Sequence, residues 1–152
     1  MIVRRAMAAE AGTLTVIAYA AKRHWGYPES WIARWSDVLT ITPDFIRSHP
    51  VHVALHGDAI AGFHTILVEG ERASLEHLWV LPEHMGQGVG SRLFRHALDT
   101  AVALGARTLT IESDPYAEAF YMHMGARRTG ARDASVDGTP RALPILEIAL
   151  VK

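Results

Sequence analysis

Apolar residues recur at two intervals along this chain, and the change from one to the other falls near residue 50. Ile2–Arg5 reads as a short strand. Ala8–Trp25 carries Leu14, Ile17, Ala18 and Ala21 at the spacing of one helical face, so a helix is expected there. Gly26-Tyr27-Pro28 breaks it, and Glu29–Leu39 reads as a second helix with Trp31, Trp35 and Val38/Leu39 on one side. Thr42-Pro43-Asp44 then suits a helix start, with a threonine cap and proline at the first position. From Val51 the pattern becomes that of strands. Val51–His56, a Gly57-Asp58 turn and Ala59–Val68 form an expected hairpin, and Gly70 turns the chain into Ala73–Leu81.

After that third strand comes a glycine-rich turn and a long amphipathic helix, with Val89, Leu93, Ala97, Ala101 and Leu104 on one face and Gly105 as its stop. Thr108–Glu112 is a strand. Asp114-Pro115 begins a short helix that ends at Gly125, and a loop with Gly138, Pro140 and Pro144 leads to a last strand, Leu143–Val151. The predicted order is strand, helices, three strands, helix, strand, helix, strand. Three successive strands joined by short turns imply antiparallel pairing, so the chain reads as mixed α/β with a sheet that is not wholly parallel, and no repeat or linker divides it. One domain over 1–152 is expected.

Composition narrows the function. The chain is 49% hydrophobic and 20% charged, the profile of a folded globular protein. A net charge of −1 argues against a nucleic-acid partner. No apolar run approaches the ~20 residues of a membrane span, and no secretory leader is visible, so a cytoplasmic location is expected. There are no cysteines, which excludes disulfides, thiolate metal sites and a cysteine nucleophile. His49, His52 and His56 crowd one region without an acidic partner; they read as structural or solvated, and no metal is expected.

The densest chemistry lies in Met85-Gly86-Gln87-Gly88-Val89-Gly90-Ser91. Glycines let backbone approach a ligand closely, and the free N–H groups at a helix start attract phosphate oxygens. A Walker loop is excluded because Ser91-Arg92 follows Gly90 instead of Lys-Ser/Thr. A dinucleotide loop fits less well, since this turn follows a strand meander in mid-chain rather than a first βαβ strand.

With its approach, Val80-Leu81-Pro82-Glu83, the turn resembles the acetyl-CoA loop of the GNAT superfamily, Gln/Arg-x-x-Gly-x-Gly/Ala. Gly88 and Gly90 match, whereas Met85 replaces the usual Gln or Arg. The stretch from Asp114 through Ala117, Phe120 and Tyr121 to Gly125 resembles the C-terminal motif of the same superfamily, with Asp114 in place of Asn and Ala126 in place of the closing Phe. The likeness runs from about Val51 to Val151.

The resemblance implies the GNAT fold, a central mixed and mostly antiparallel sheet flanked by helices, and an N-acetyltransferase that moves acetyl from acetyl-CoA to a primary amine of a small molecule or peptide. The cosubstrate would be held by Val80, Met85, Gly86, Gln87, Gly88, Val89, Gly90, Ser91, Asp114 and Tyr121. It also implies that the Val80 N–H stabilises the oxyanion and that Tyr121 protonates the leaving thiolate. Phenol and thiol have reference pKa values of about 10 and 8.5, close enough for that transfer. Glu76 is the expected base, with His77 or water as alternatives. Trp25, Tyr27, Trp31 and His77 are the candidate acceptor contacts, although the same aromatics could form core between helices. A homodimer is left open. The competing reading is a non-catalytic acyl-CoA-binding regulatory module.

Overall fold

The computed structural model describes residues 1–150, so the expected strand end at Val151 lies outside the described residues. Seven strands are hydrogen-bonded in the order β1-β2-β3-β4-β5-β7-β6. They are β1 (Ile2–Arg5), β2 (Val51–His56), β3 (Ala59–Glu69), β4 (Arg72–Val80), β5 (Thr108–Glu112), β6 (Arg127–Asp133) and β7 (Ala142–Ala149). The pairs β1–β2, β2–β3, β5–β7 and β6–β7 are antiparallel, and β4–β5 is parallel. The mixed, mostly antiparallel sheet expected above is present. Among the described residues no helix is long and apolar enough to cross a membrane.

The chain packs as two compact units. The first comprises Met1–Leu67 and Glu76–Ala97. Its longest N-terminal helix, α1 (Ala11–His24), buries Leu14, Ile17, Ala18 and Ala21, the face its spacing predicts. The single helix expected over 29–39 is instead two, α2 (Glu29–Arg34) and α3 (Ser36–Leu39), parted at Trp35 with φ −93° and ψ 9°. The Trp35 ring packs edge-on against both Tyr27 and Trp31, which accounts for a bend no periodicity announces. α4 (Pro43–Ser48) starts as predicted: the Thr42 hydroxyl accepts the Phe45 N–H at 3.0 Å.

Strand alternation gives this unit two apolar faces. On one, Val51, Val53 and Phe63 pack with Leu14, Ile17, Ile32, Leu39 and Ile46. On the other, Ala54 and Ala61 pack with Val89 and Leu93 from α5 (Val89–Ala103). Gly62 is where that second face is tightest. A Cβ there would lie 2.5 Å from the Trp79 carbonyl oxygen and 3.0 Å from Leu93 Cδ1, so no larger residue fits unshifted.

The second unit comprises Val68–Leu75 and the chain from Leu98 onward. Arg72–Leu75 of β4 pairs with Thr108–Ile111 of β5, and Leu109, Ile111 and Leu146 are fully buried. A 3-10 turn, Pro115–Ala117, leads into α6 (Glu118–His123). β6 corrects the sequence reading, which placed a loop there. Every residue of Arg127–Asp133 is exposed, so the strand carries no apolar alternation to read. It is held by its hydrogen bonds to β7 and by side-chain pairs such as Arg132 with Glu112. Charged residues along an edge strand also discourage pairing with other chains.

Candidate active site

In the first unit, β4 ends at Val80 and a 3-10 turn, Pro82–His84, brings the chain to the glycines. Gly86 and Gly88 have φ of +78° and +84°, which L side chains rarely adopt, and open space surrounds the position a Cβ would take on either. Gly88 also caps α5, its carbonyl accepting the Arg92 N–H at 3.0 Å. In an α-helix opening this way the preceding N–H groups, of Val89, Gly90 and Ser91, have no intrahelical acceptor. The result is a cluster of donors at the positive end of a helix, beside backbone that a ligand can touch. Met85 and Gln87 flank this cradle. The Gln87 side chain is turned back along the turn, its amide 3.5 Å from the Glu83 carbonyl oxygen.

A cleft of about 250 Å³ in the same unit is lined by Asp37, Val38, Thr40, Ile41, Phe45, Glu76 and His77. Glu76 is exposed and His77 buried, as alternation along β4 requires. The Trp79 indole N–H donates to His77 Nδ1 at 3.0 Å. An indole N–H can only donate, so Nδ1 must accept and the neutral ring carries its proton on Nε2. Burial, then the His49 ring, pushes His77 down to about 4. A neutral histidine whose free lone pair is already engaged is poorly suited to accept a proton. Glu76 and Asp37 each contribute a carboxyl group to the lining of the cleft.

Of the expected acceptor contacts, only His77 lines this cleft. Trp25 packs edge-on to His24, and Tyr27 stacks on Trp31 at 5.9 Å. Tyr27, Trp35 and Trp79 surround the buried Lys22 ammonium, 5.0, 4.3 and 6.0 Å from the ring centres. That arrangement offsets the cost of burying a cation. Tyr27 and Trp35 therefore pack half-buried on the core around an internal charge, while Trp25 and Trp31 stay half-exposed. Asp37 and Phe45, which do line the cleft, carried no sequence signal because they lie far along the chain from Glu76 and His77.

In the second unit, Asp114 caps the turn before α6, accepting the Tyr116 N–H at 2.9 Å, and pairs with Arg141 at 3.3 Å with both side chains nearly buried. The family's Asn is thus replaced by a residue with two structural partners, one of them in the distant loop before β7. Tyr121 is buried on α6 with only 7% of its surface exposed. Burial, and secondarily the Asp114 carboxylate, pushes its phenol well above the usual tyrosine range. The hydroxyl therefore stays protonated at any working pH. It is also a weaker acid than reference values suggest, so a transfer from it to thiolate is more uphill than the sequence reading assumed.

The sequence reading also missed a convergence in the first unit. His52 on β2, His64 on β3 and His96 on α5 place ring nitrogens within 4.8 Å of one another.

Comparison with known proteins agrees with both motifs. The family model described as acetyltransferase (GNAT) family matches residues 16–126. The peptidyl-lysine N-acetyltransferase YjaB of Salmonella typhimurium is 33% identical over 114 residues, 74% of this chain and 73% of that protein. A GCN5-related N-acetyltransferase from Rhodopseudomonas palustris superposes with a TM-score of 0.81 at 20% identity, covering 98% of this chain and 95% of the other. YncA of Salmonella typhimurium, solved with acetyl-CoA, superposes at 0.72 with 19% identity, covering 100% and 95%. At such identities the structures speak to the fold.

Proposed function

The chain belongs to the GNAT acetyltransferase family and is an N-acetyltransferase, and from that premise we propose that it transfers acetyl directly from acetyl-CoA to a primary amine held in the acidic cleft. The observation that carries the proposal is the turn at Gly86–Gly88. Its glycines take backbone angles that favour glycine, leave their faces open, and feed a helix start whose donors match a pyrophosphate. Arg92 and Arg95, exposed on the following helix, add positive charge to a cradle whose Met85 supplies none.

The cleft suits an ammonium. Asp37 and Glu76 place two carboxylates beside Val38, Ile41 and Phe45, the complement of an amine on an aliphatic stem, with Thr40 and His77 completing the lining. A lysyl side chain of a peptide has that form, and the relative from Salmonella is named for it. Glu76 takes the proton from the bound ammonium, directly or through water, and the amine attacks the acetyl carbonyl. The Val80 N–H receives the charge that develops on the carbonyl oxygen. Tyr121 returns a proton to the departing thiolate. His77, with its lone pair taken by Trp79, orients the strand instead of acting as base.

The test is acetyl-CoA-dependent thiol release over a panel of lysyl peptides, polyamines and small amines, beside calorimetric titration with acetyl-CoA. Binding with turnover on at least one amine is expected, and Gly88→Val should abolish binding in a folded protein. Binding without turnover on any amine would favour the regulatory module. No binding would remove the cradle assignment.

A further inference from the structure

We propose that His52, His64 and His96 form a binding site for a divalent transition-metal cation of the zinc type, tying α5 to the β2–β3 hairpin. His52 and His64 are direct cross-strand partners, so their side chains leave the same face of the sheet. α5 packs on that face through Val89 and Leu93, and His96 descends from the helix to meet them. The ring centres are 5.3, 4.6 and 5.2 Å apart, and His64 Nε2 lies 2.9 Å from His96 Nδ1.

The chemistry of the cluster points to a cation. His64 is fully buried, yet its Nδ1 and the Nδ1 of His52 have no hydrogen-bond partner. Buried ring nitrogens left without partners are unusual, because each forfeits its hydration. A core needing only volume here would use aliphatic side chains. Three imidazoles within 4.8 Å need only small ring rotations to meet the Zn–N distance of about 2.0–2.1 Å.

Imidazole sets suit zinc, nickel and copper rather than magnesium or calcium. Only the His64 side of the cluster is sealed, since His52 and His96 are half-exposed, so a water completes the coordination. No carboxylate belongs to the group, and Arg5 stands near His52, so micromolar affinity is expected rather than the tighter binding of anionic sites. His96 lies about two turns below the helix start that carries the glycine cradle. A bound cation would therefore brace that helix against the hairpin without entering the acetyl-transfer chemistry.

The test uses untagged, chelator-stripped protein titrated with Co²⁺ and then with Zn²⁺ in competition. One equivalent of Co²⁺ should produce the visible bands of a four-coordinate site, and Zn²⁺ should bleach them. Saturating Zn²⁺ should raise Tm by roughly 5–10 °C. His52→Ala and His96→Ala, both at half-exposed positions, should each abolish the bands while keeping the metal-free melt. The double variant His56→Ala/His84→Ala, which removes a ring pair elsewhere, should keep them. ¹⁵N resonances of the histidine rings in the unaltered protein give a reading that needs no variant, with only these three shifting at one equivalent. Binding weaker than about 1 mM, bands that survive His96→Ala, or ring shifts at His56 and His84 instead would overturn the site and leave three neutral rings packed together.

Discussion

Gly62→Ala adds one methyl where β3 runs beside the end of β4, and the contacts are close enough to work out its consequences. The new Cβ would lie 2.5 Å from the Trp79 carbonyl oxygen, 3.0 Å from Leu93 Cδ1 and 3.2 Å from Val80 Cα. The leucine tip can rotate, but the other two atoms are backbone. Restoring ordinary contact needs a shift of roughly 0.7 Å between the strands. Overpacking of this kind costs about 1–3 kcal/mol. For a chain of this length that is a fall in Tm of roughly 2–12 °C. The displaced carbonyl shares its peptide group with the Val80 N–H, the proposed oxyanion donor. Misplacing that donor by most of an ångström should lower kcat by about 10- to 100-fold, with acetyl-CoA affinity nearly unchanged. Gly12→Ala is the matched control: the same methyl on a helix, in open space, should stabilise by up to about 1 kcal/mol. Thermal melts and steady-state rates on the two variants suffice. A Gly62→Ala protein melting within about 1 °C of the parent with full kcat would refute both the packing argument and the placement of the donor.

Three other outcomes are expected. Glu76→Gln should lower kcat/KM most near neutral pH and least at high pH, where the amine is already free; an unaltered pH–rate profile would move the base elsewhere. Tyr121→Phe should leave acetyl-CoA affinity intact in calorimetry while single-turnover rates fall by roughly 10²–10⁴. A parallel loss of affinity would make Tyr121 a binding residue instead. Acid should destabilise the protein through His77: the unfolded ring protonates near 6.5 and the folded one only near 4, so stability is full above 6.5 and falls as pH drops toward 4. That loss is on the order of 3 kcal/mol, and His77→Gln, which keeps an acceptor for Trp79, should flatten it in melts at pH 7 and 4.5.

What the sequence made readable was local. The α1 face, the Thr42 cap, the hairpin and the glycine turn each declare themselves within a few residues, through periodicity or through residues with special backbone freedom. β6 declares nothing, because an edge strand exposed on every residue has no apolar period. The break at Trp35 follows from ring packing around Lys22, which depends on Trp79 far along the chain. Asp114 looked like a conservative stand-in for Asn until its partner appeared at Arg141. The histidine cluster is the strongest case. His52, His64 and His96 have no motif spacing, and only a strand register and the rotation of α5 bring them together.

Lys22 has a practical consequence of its own. The chain has two lysines, Lys22 and Lys152. Lys22 is 8% exposed, with its ammonium against three aromatic faces. To be acetylated, an amine must reach the thioester, and this one is hindered by its burial. An enzyme that handles a reactive acyl donor all its life thus offers that donor hardly any nucleophile of its own. Self-acetylation at Lys22 should accordingly be negligible. The same scarcity leaves the fold tolerant of amine-directed immobilisation, since the one internal lysine that such reagents would need to spare is already out of their reach.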